Sequence, residues 1–258
     1  MSRKLHFVRY KELVGCLTKP VKSRLFCQTC TKKNRERDEM SYIDLTDIRK
    51  EYKSGESSTQ ALRGINLSIE KGSYTAIMGP SGSGKSTLLN IIGGMDRMTF
   101  GSYRFQGEEV GGLSAAMLEE FRNQNIAFVF QSFALMNRYT VYENVEMPLL
   151  ARGIKNRKER VMNALRSVGI EALSEKKANR LSGGEQQRTA LARAIAMDAP
   201  ILLADEPTGA LDRETGDQVM DILDGIHKNG KTVIVITHDR HVAERAENIV
   251  NIVNGEIL

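Results

Sequence analysis

Tryptophan is missing from this chain of 258 residues, and no apolar run approaches the roughly 18 residues a membrane-spanning helix needs. A membrane role is therefore expected to come through a partner. Cysteine is scarce: Cys16, Cys27 and Cys30 are the whole complement, all within the first thirty positions. The remaining chain has no thiol to form a disulfide framework, and a reducing compartment fits. Leu13 to Leu17 is too short and interrupted to be the apolar core of a secretory leader. Basic charge is scarce where a nucleic-acid surface would need it. Residues 1–40 hold 11 of the 37 Lys and Arg against 4 of the 32 Asp and Glu, while 41–258 carries 26 basic and 28 acidic residues. The formal charge of +5 is thus a property of the first 40 residues, and a basic body suited to nucleic acid is absent.

Those first 40 residues show no sustained period and end in the charged run TKKNRERDEM, which reads as a disordered extension. Cys27-x-x-Cys30 supplies two thiols, but zinc normally takes four ligands and no second pair follows. Met40 stands just before the first strand-like segment, so it is a candidate functional start. From Ser41 apolar residues alternate through Tyr42, Ile43, Leu45 and Ile48 to Tyr52. Lys53 to Gln60 reads as a hairpin loop, and Leu62, Ile65, Leu67 and Ile69 form a second strand. This predicts a small antiparallel sheet ahead of the main body. Tyr52 is placed either to stack on a flat base or simply as a half-exposed sheet tyrosine.

The stretch YTAIMGPSGSGKSTLLN, Tyr74 to Asn90, organises the rest. An apolar strand runs into Gly79, Pro80, Ser81, Gly82, Ser83, Gly84, Lys85, Ser86 and Thr87, which match G-x-x-x-x-G-K-[ST]. The apolar face of a helix follows at Leu88, Leu89, Ile91 and Ile92. A phosphate chain needs backbone N–H groups aimed at it from close range. Glycines permit that approach, and a helix N-terminus adds partial positive charge. Such a pattern arises by chance in about 1% of chains this long, and the flanking strand and helix lower that further. Lys85 is expected to reach the β- and γ-phosphates, and the Ser86 hydroxyl to ligate Mg²⁺.

Three more apolar strands end in polar residues. Ile126 to Phe130 delivers Gln131, Ile201 to Asp205 delivers Asp205 and Glu206, and Thr232 to Thr237 delivers His238. In a parallel sheet the C-terminal strand ends gather the ligand. Asp205 there suits a magnesium shell, Gln131 either that shell or the placing of water, Glu206 water activation, and His238 either a γ-phosphate contact or the holding of the catalytic geometry. His227 and His241 lack that setting and read as surface residues. Ser114 caps a predicted helix to about Asn123, and residues 132 to about 180 read as mainly helical, with Val161, Leu165 and Val168 on one face closed by Gly169. Ser182, Gly183, Gly184 and Glu185 then open a helix to about Ala196. This is either a second anion-binding helix start or an ordinary glycine-containing one. Gly209 to Asp212 makes a tight turn before a helix faced by Val219, Ile222, Leu223 and Ile226, and Ile249 to Val253 is a last strand.

Taken in order, GPSGSGKST, Gln131, LSGGEQQR, ILLADE, GALD and His238 resemble the motifs of the ATP-binding subunit of an ABC transporter, over about Ser41 to Leu258. That resemblance implies an α/β fold: a P-loop NTPase core with a mainly parallel sheet, a small antiparallel β subdomain and a helical insertion at about 132–188. It implies ATP sandwiched between Gly79–Thr87 of one subunit and Ser182–Glu185 of another, with Asp212 in the contact and Tyr52 against adenine. Glu206 would be the general base, with His238 and Gln131 assisting and Ser86, Gln131 and Asp205 on Mg²⁺. The segments NVEMPLLARG and LSGGEQQRTALARAIAMDAPILLADEPTGALD look like the macrolide-export and lipoprotein-release branch. The implied partners are a second copy and a separate transmembrane permease at the cytoplasmic face of the membrane, with export of a peptide, macrolide or other antimicrobial, or lipoprotein release, as the work done. Signalling or cell-wall remodelling without transport is the alternative. A nucleic-acid-linked ATPase fits least, because the insertion is compact, there is one cassette and the body is slightly acidic.

Overall fold

Five short strands with almost wholly apolar interiors fix the centre of the molecule. In the computed structural model, which describes residues 41–55 and 57–258, these strands are β3 (Tyr74–Met78), β6 (Ile126–Val129), β7 (Ile201–Asp205), β8 (Thr232–Thr237) and β9 (Asn248–Val253). They pair in parallel in the order β9-β3-β8-β7-β6, and a two-residue antiparallel strand, β10 (Glu256–Ile257), closes the β9 edge. The expectations for residues 1–40, including the Cys27/Cys30 pair and the Met40 start, lie outside the described residues.

Both faces of this sheet are covered, as parallel sheets require. Successive residues alternate between two cores. Ile77, Ile201, Leu203, Ile234 and Ile236 point into one, where helix α1 (Lys85–Ile92) packs with Ile43, Ile48, Leu62 and Ile65 of a second sheet. Ala127, Val129, Leu202, Ala204, Val233 and Val235 point into the other. There the smaller side chains leave room for α3 (Val141–Ala151), α4 (Arg157–Ser167), α5 (Gly183–Met197) and α6 (Arg213–Lys228). Helix α2 (Ala115–Asn125) starts at the expected Ser114 cap, whose hydroxyl accepts the Met117 N–H. Val161, Leu165 and Val168 are buried as their spacing predicts. Helix α7 (Arg240–Ala243) is a single turn after β8.

The second sheet is antiparallel, in the order β2 (Ser57–Ile69), β1 (Ile43–Ser54), β4 (Phe100–Phe105), β5 (Glu108–Glu109). It departs from the sequence reading in two places. Lys53 to Gln60 is not a loop: pairing continues through Tyr52↔Thr59 and Lys53↔Ser58 to Ser54↔Ser57. Exposed Ser57 to Gln60 carry no apolar alternation there, so periodicity had nothing to report. Strand β4 is unannounced because only Tyr103 and Phe105 of its six residues are buried. His227 is also corrected. Its side chain is half-buried, the ring lies 5.5 Å from that of Tyr74, and Nε2 is 2.9 Å from the Gly72 carbonyl oxygen.

The parallel register brings the C-terminal ends together. Met78 pairs with Thr237, Asp205 with Ile236 and Val129 with Ala204. Whatever follows β3, β6, β7 and β8 therefore emerges along one edge.

Candidate active site

Between β3 and α1 the chain wraps tightly enough to dictate glycine. A Cβ on Gly79 would run into the Ile252 carbonyl oxygen, and one on Gly84, at φ +100°, would meet the Ala61 carbonyl oxygen. Backbone oxygens cannot swing aside as a flexible side chain can. The Asn254–Gly255 turn braces the loop from outside: Gly255 N–H donates to the Ser83 carbonyl (3.0 Å), and the Gly255 carbonyl accepts from Arg63 N–H (2.8 Å). Helix α1 then starts without a side-chain cap. The Lys85 ammonium, almost fully buried, donates to the carbonyls of Gly79 (2.9 Å) and Pro80 (2.8 Å), which holds the cation over the loop.

Opposite lies the edge of β7 and β8. Asp205 Oδ1 is 3.4 Å from Ser86 Oγ, joining the two sides of the cleft. Burial pushes the Asp205 carboxyl above the ordinary range, and the adjacent Glu206 charge adds to this, while Ser86 and Lys85 oppose it. Glu206 takes a left-handed conformation, φ +46°, with its N–H bonded to the Ile236 carbonyl at 3.0 Å. A non-glycine residue there is strained by about 1–3 kcal/mol. The turn aims the carboxylate so that Oε1 lies 2.8 Å from Nδ1 of His238. A carboxylate only accepts, so the proton of this bond sits on Nδ1 and leaves Nε2 as the outer nitrogen. Glu206 is mostly covered, its side chain 14% exposed, whereas His238 is 68% exposed.

Together these residues line a cleft of about 630 Å³: Pro80, Ser81, Gly82, Gly84, Lys85, Ser86, Thr87, Gln131, Asp205, Glu206 and His238, with Ala61 of β2 on the rim. Gly79 and Ser83 lie deeper in the loop, with Ser83 almost fully buried and its Oγ close against Gly79. The donor set suits a hard divalent cation: a hydroxyl and a carboxylate in close approach, with an amide oxygen available on the same wall. Ser86, Asp205 and Gln131 thus fit Mg²⁺.

Of the remaining predicted residues, Tyr52 borders the cleft through a side-chain hydrogen bond with Thr87, whereas Ser182 to Glu185 and Asp212 lie outside the cleft lining. Tyr52 is 43% exposed on the β1 hairpin. Its hydroxyl donates to Asp96 Oδ2 at 2.6 Å, and the Lys50 ammonium lies 4.7 Å from its ring centroid. Sequence reasoning missed Lys50 and Asp96, because nothing local links position 96 to the hairpin. Ser182 and Glu185 cap α5 reciprocally, with Ser182 Oγ accepting from Glu185 N–H (3.3 Å) and Glu185 Oε2 from Ser182 N–H (2.8 Å). Gly183 and Gly184 form the first turn between them. Asp212 caps α6 by accepting from the Thr215 N–H (3.0 Å) and hydroxyl (2.8 Å). It lines a separate depression with Asp217, Asp239 and His241.

A family model described as ABC transporter matches residues 62–209, which hold the loop, Gln131, the α5 start, Asp205 and Glu206. The chain belongs to the ABC transporter family. This cassette is 44% identical over 217 residues to an uncharacterized ABC transporter ATP-binding protein of Thermotoga maritima, a match covering 83% of this chain and 93% of that one. It is also 44% identical over 220 residues to the macrolide export ATP-binding/permease protein MacB of Rhodopseudomonas palustris. That match covers 84% of this chain but 34% of the relative, so the cassette spans about a third of the length of the macrolide-export proteins it matches. Among solved structures it is similar to a dimeric, post-hydrolysis ATP-binding cassette bound to ADP and Pi, at 42% identity and a TM-score of 0.78, over 83% of this chain and 96% of that one. The fold is that of an ABC ATPase cassette. Among the described residues no helix is long and apolar enough to cross a membrane.

Proposed function

We propose that the cassette binds and hydrolyses ATP as one half of a dimer and drives a separate membrane permease. The observation carrying this reading is the Glu206–His238 contact at the sheet edge, facing the glycine-rich loop and the Ser86–Asp205 pair. Lys85 and the N-terminal amides of α1 hold the triphosphate. His238 engages Glu206 Oε1 and fixes the carboxylate orientation, so Oε2 is the oxygen left to take a proton from the attacking water. Ser86, Asp205 and Gln131 hold Mg²⁺, which when bound neutralises charge on the triphosphate. Tyr52 supports the adenine. Ser182, Gly183, Gly184 and Glu185 of the second copy, with Asp212, complete the site from the other side, so nucleotide favours the closed dimer and hydrolysis releases it.

Motion would pass to the permease through the helical part at about 132–188, at the cytoplasmic face of the membrane. The macrolide-export relatives favour export of a macrolide, peptide or other antimicrobial, with lipoprotein release the neighbouring possibility. The test is Glu206→Gln. It should bind ATP, elute as a dimer with ATP and Mg²⁺, and lose turnover by about a hundredfold or more. Full turnover in that variant would overturn the assignment of the base.

A further inference from the structure

The second turn from the C-terminal end of α5 carries a cation that the chemistry above leaves unused. Arg193 is half-buried, and its guanidinium donates through two nitrogens to successive carbonyls, NH1 to Ala134 at 2.6 Å and NH2 to Phe133 at 3.0 Å. Burial lowers its pKa with no charged group opposing that, so the carbonyls are its compensation. A guanidinium without a carboxylate is an unusual choice if packing alone were needed, since an apolar side chain would fill the space without desolvating a charge.

The accepting residues are themselves unusual. Phe133 and Ala134 lie at φ +61° and +48°, two consecutive non-glycine residues in the left-handed region. Each such residue is unfavourable without glycine's freedom, so the pair needs an external hold. Hydrogen bonds to a charged donor are stronger than those between neutral groups, and two of them supply it. The turn begins immediately after Gln131, with Phe133 N–H bonded to the Phe130 carbonyl and Ala134 N–H to the Ser132 carbonyl. The conformation Arg193 secures therefore sets where Gln131 leaves β6 and enters the cleft. The Gln131 amide reaches the neighbourhood of Gly209, just past Glu206, and the Phe133 ring lies against Gly183 at the start of α5.

We infer that Arg193 is a positioning residue: by clamping the Phe133 and Ala134 carbonyls it fixes Gln131 in the active cleft, and it ties that loop to α5. The inference rests on Gln131 acting in the cleft, as proposed above. Arginine serves here because its fork spans two carbonyls at once, which the single nitrogen of lysine does not reproduce.

A double-mutant cycle on the full chain tests this, with steady-state ATPase kinetics as the readout and thermal melts as the folding control. Arg193→Ala should lower kcat by about ten- to a hundredfold while KM for ATP stays within about twofold, because the loop that binds phosphate is untouched. Arg193→Lys should recover part of the loss. In a Gln131→Ala background, Arg193→Ala should cost no more than about a further twofold, since the residue it positions is gone. Multiplicative losses across the cycle, or an unchanged kcat in Arg193→Ala, would overturn the inference while leaving the site reading intact. If Gln131→Ala itself turns over normally, the role of Gln131 fails and the inference fails with it. Should Arg193→Ala not fold, Arg193→Lys carries the same cycle.

Discussion

Two helix starts in this cassette follow a glycine-rich segment, and they treat their free backbone donors in opposite ways. Helix α1 is preceded by Gly84 in a left-handed conformation with no side-chain cap, so its first N–H groups have no local acceptor. Helix α5 is preceded by Ser182, and a full capping box with Glu185 satisfies both ends of the motif. Lys176 adds a second donor to the Glu185 carboxylate at 3.3 Å. The first start has the open donors that the proposed phosphate site needs. The second is capped in part within its own chain: the Glu185 N–H is taken by Ser182 Oγ, while the Gly183 and Gly184 N–H groups have no acceptor among the described residues. One helix start is left uncapped and the other is partly capped, a difference that fits the proposed site assembled from two copies and taken apart each cycle.

The comparison breaks most visibly at Gly84. An alanine there must adopt φ +100° and press its Cβ on the Ala61 carbonyl and the Leu62 side chain, so the loop has to move. Strain of about 3 kcal/mol corresponds to roughly a hundredfold, so Gly84→Ala should weaken ATP binding by about that factor in a calorimetric titration. Unchanged affinity would mean that α1 is not the phosphate site. At the other start the effect is smaller and of another kind. Ser182→Ala removes one half of the capping box and should destabilise the chain by about 1 kcal/mol, or about 2–4 °C in a melt. ATP affinity measured on the dilute single chain should not change, whereas turnover at concentrations that favour the dimer should fall. A loss of single-chain affinity would place Ser182 in its own chain's site instead.

The same contrast explains what could be read in advance. The cleft was legible because each of its walls ends a buried strand, and buried parallel strands announce themselves as continuous apolar runs such as ILLAD and TVIVIT. Short glycine-rich spacing marks the loop for the same reason: backbone must come close to something. What was not legible depends on partners far along the chain. The extension of the β1–β2 hairpin through Ser57 is solvated and leaves no period. The Asp96 acceptor of Tyr52, the Gly255 brace on Ser83 and the Arg193 clamp join residues 44, 172 and 60 positions apart. The left-handed turns at Phe133, Ala134 and Glu206 carry no glycine or asparagine to signal them. Ser182 and Asp212 could be named by motif, yet in a single chain they serve as helix caps, and spacing alone does not separate that duty from ligand contact.

The smallest effects lie in the acid range, where a carboxylate from each side shifts in opposite directions. Glu185 sits below its ordinary value of 4.5, chiefly because the Ser182 N–H donates to it; burial opposes this and Lys176 assists. The unfolded chain then binds more protons than the folded one just below pH 4.5, so this group's contribution is complete above that pH and disappears as the pH falls through its depressed folded value. Asp205 lies above its ordinary value of 3.8 because burial disfavours its charge. The folded chain holds the proton longer, so Asp205 lowers stability as the pH rises from about 3.8 through its raised folded value. Urea melts of Glu185→Gln should therefore lose less stability than the parent chain between pH 4.5 and 3. Asp205→Asn should be more stable than the parent at pH 7 although it removes a proposed magnesium ligand, and the gain should vanish at pH 3. The signs differ because the α5 carboxylate is held by donors within its own chain, whereas burial of the cleft carboxylate and the neighbouring Glu206 charge outweigh the help of Ser86 and Lys85. A destabilised Asp205→Asn at pH 7 would show that the acid is already paired within the chain, and the contrast between the two walls would be lost.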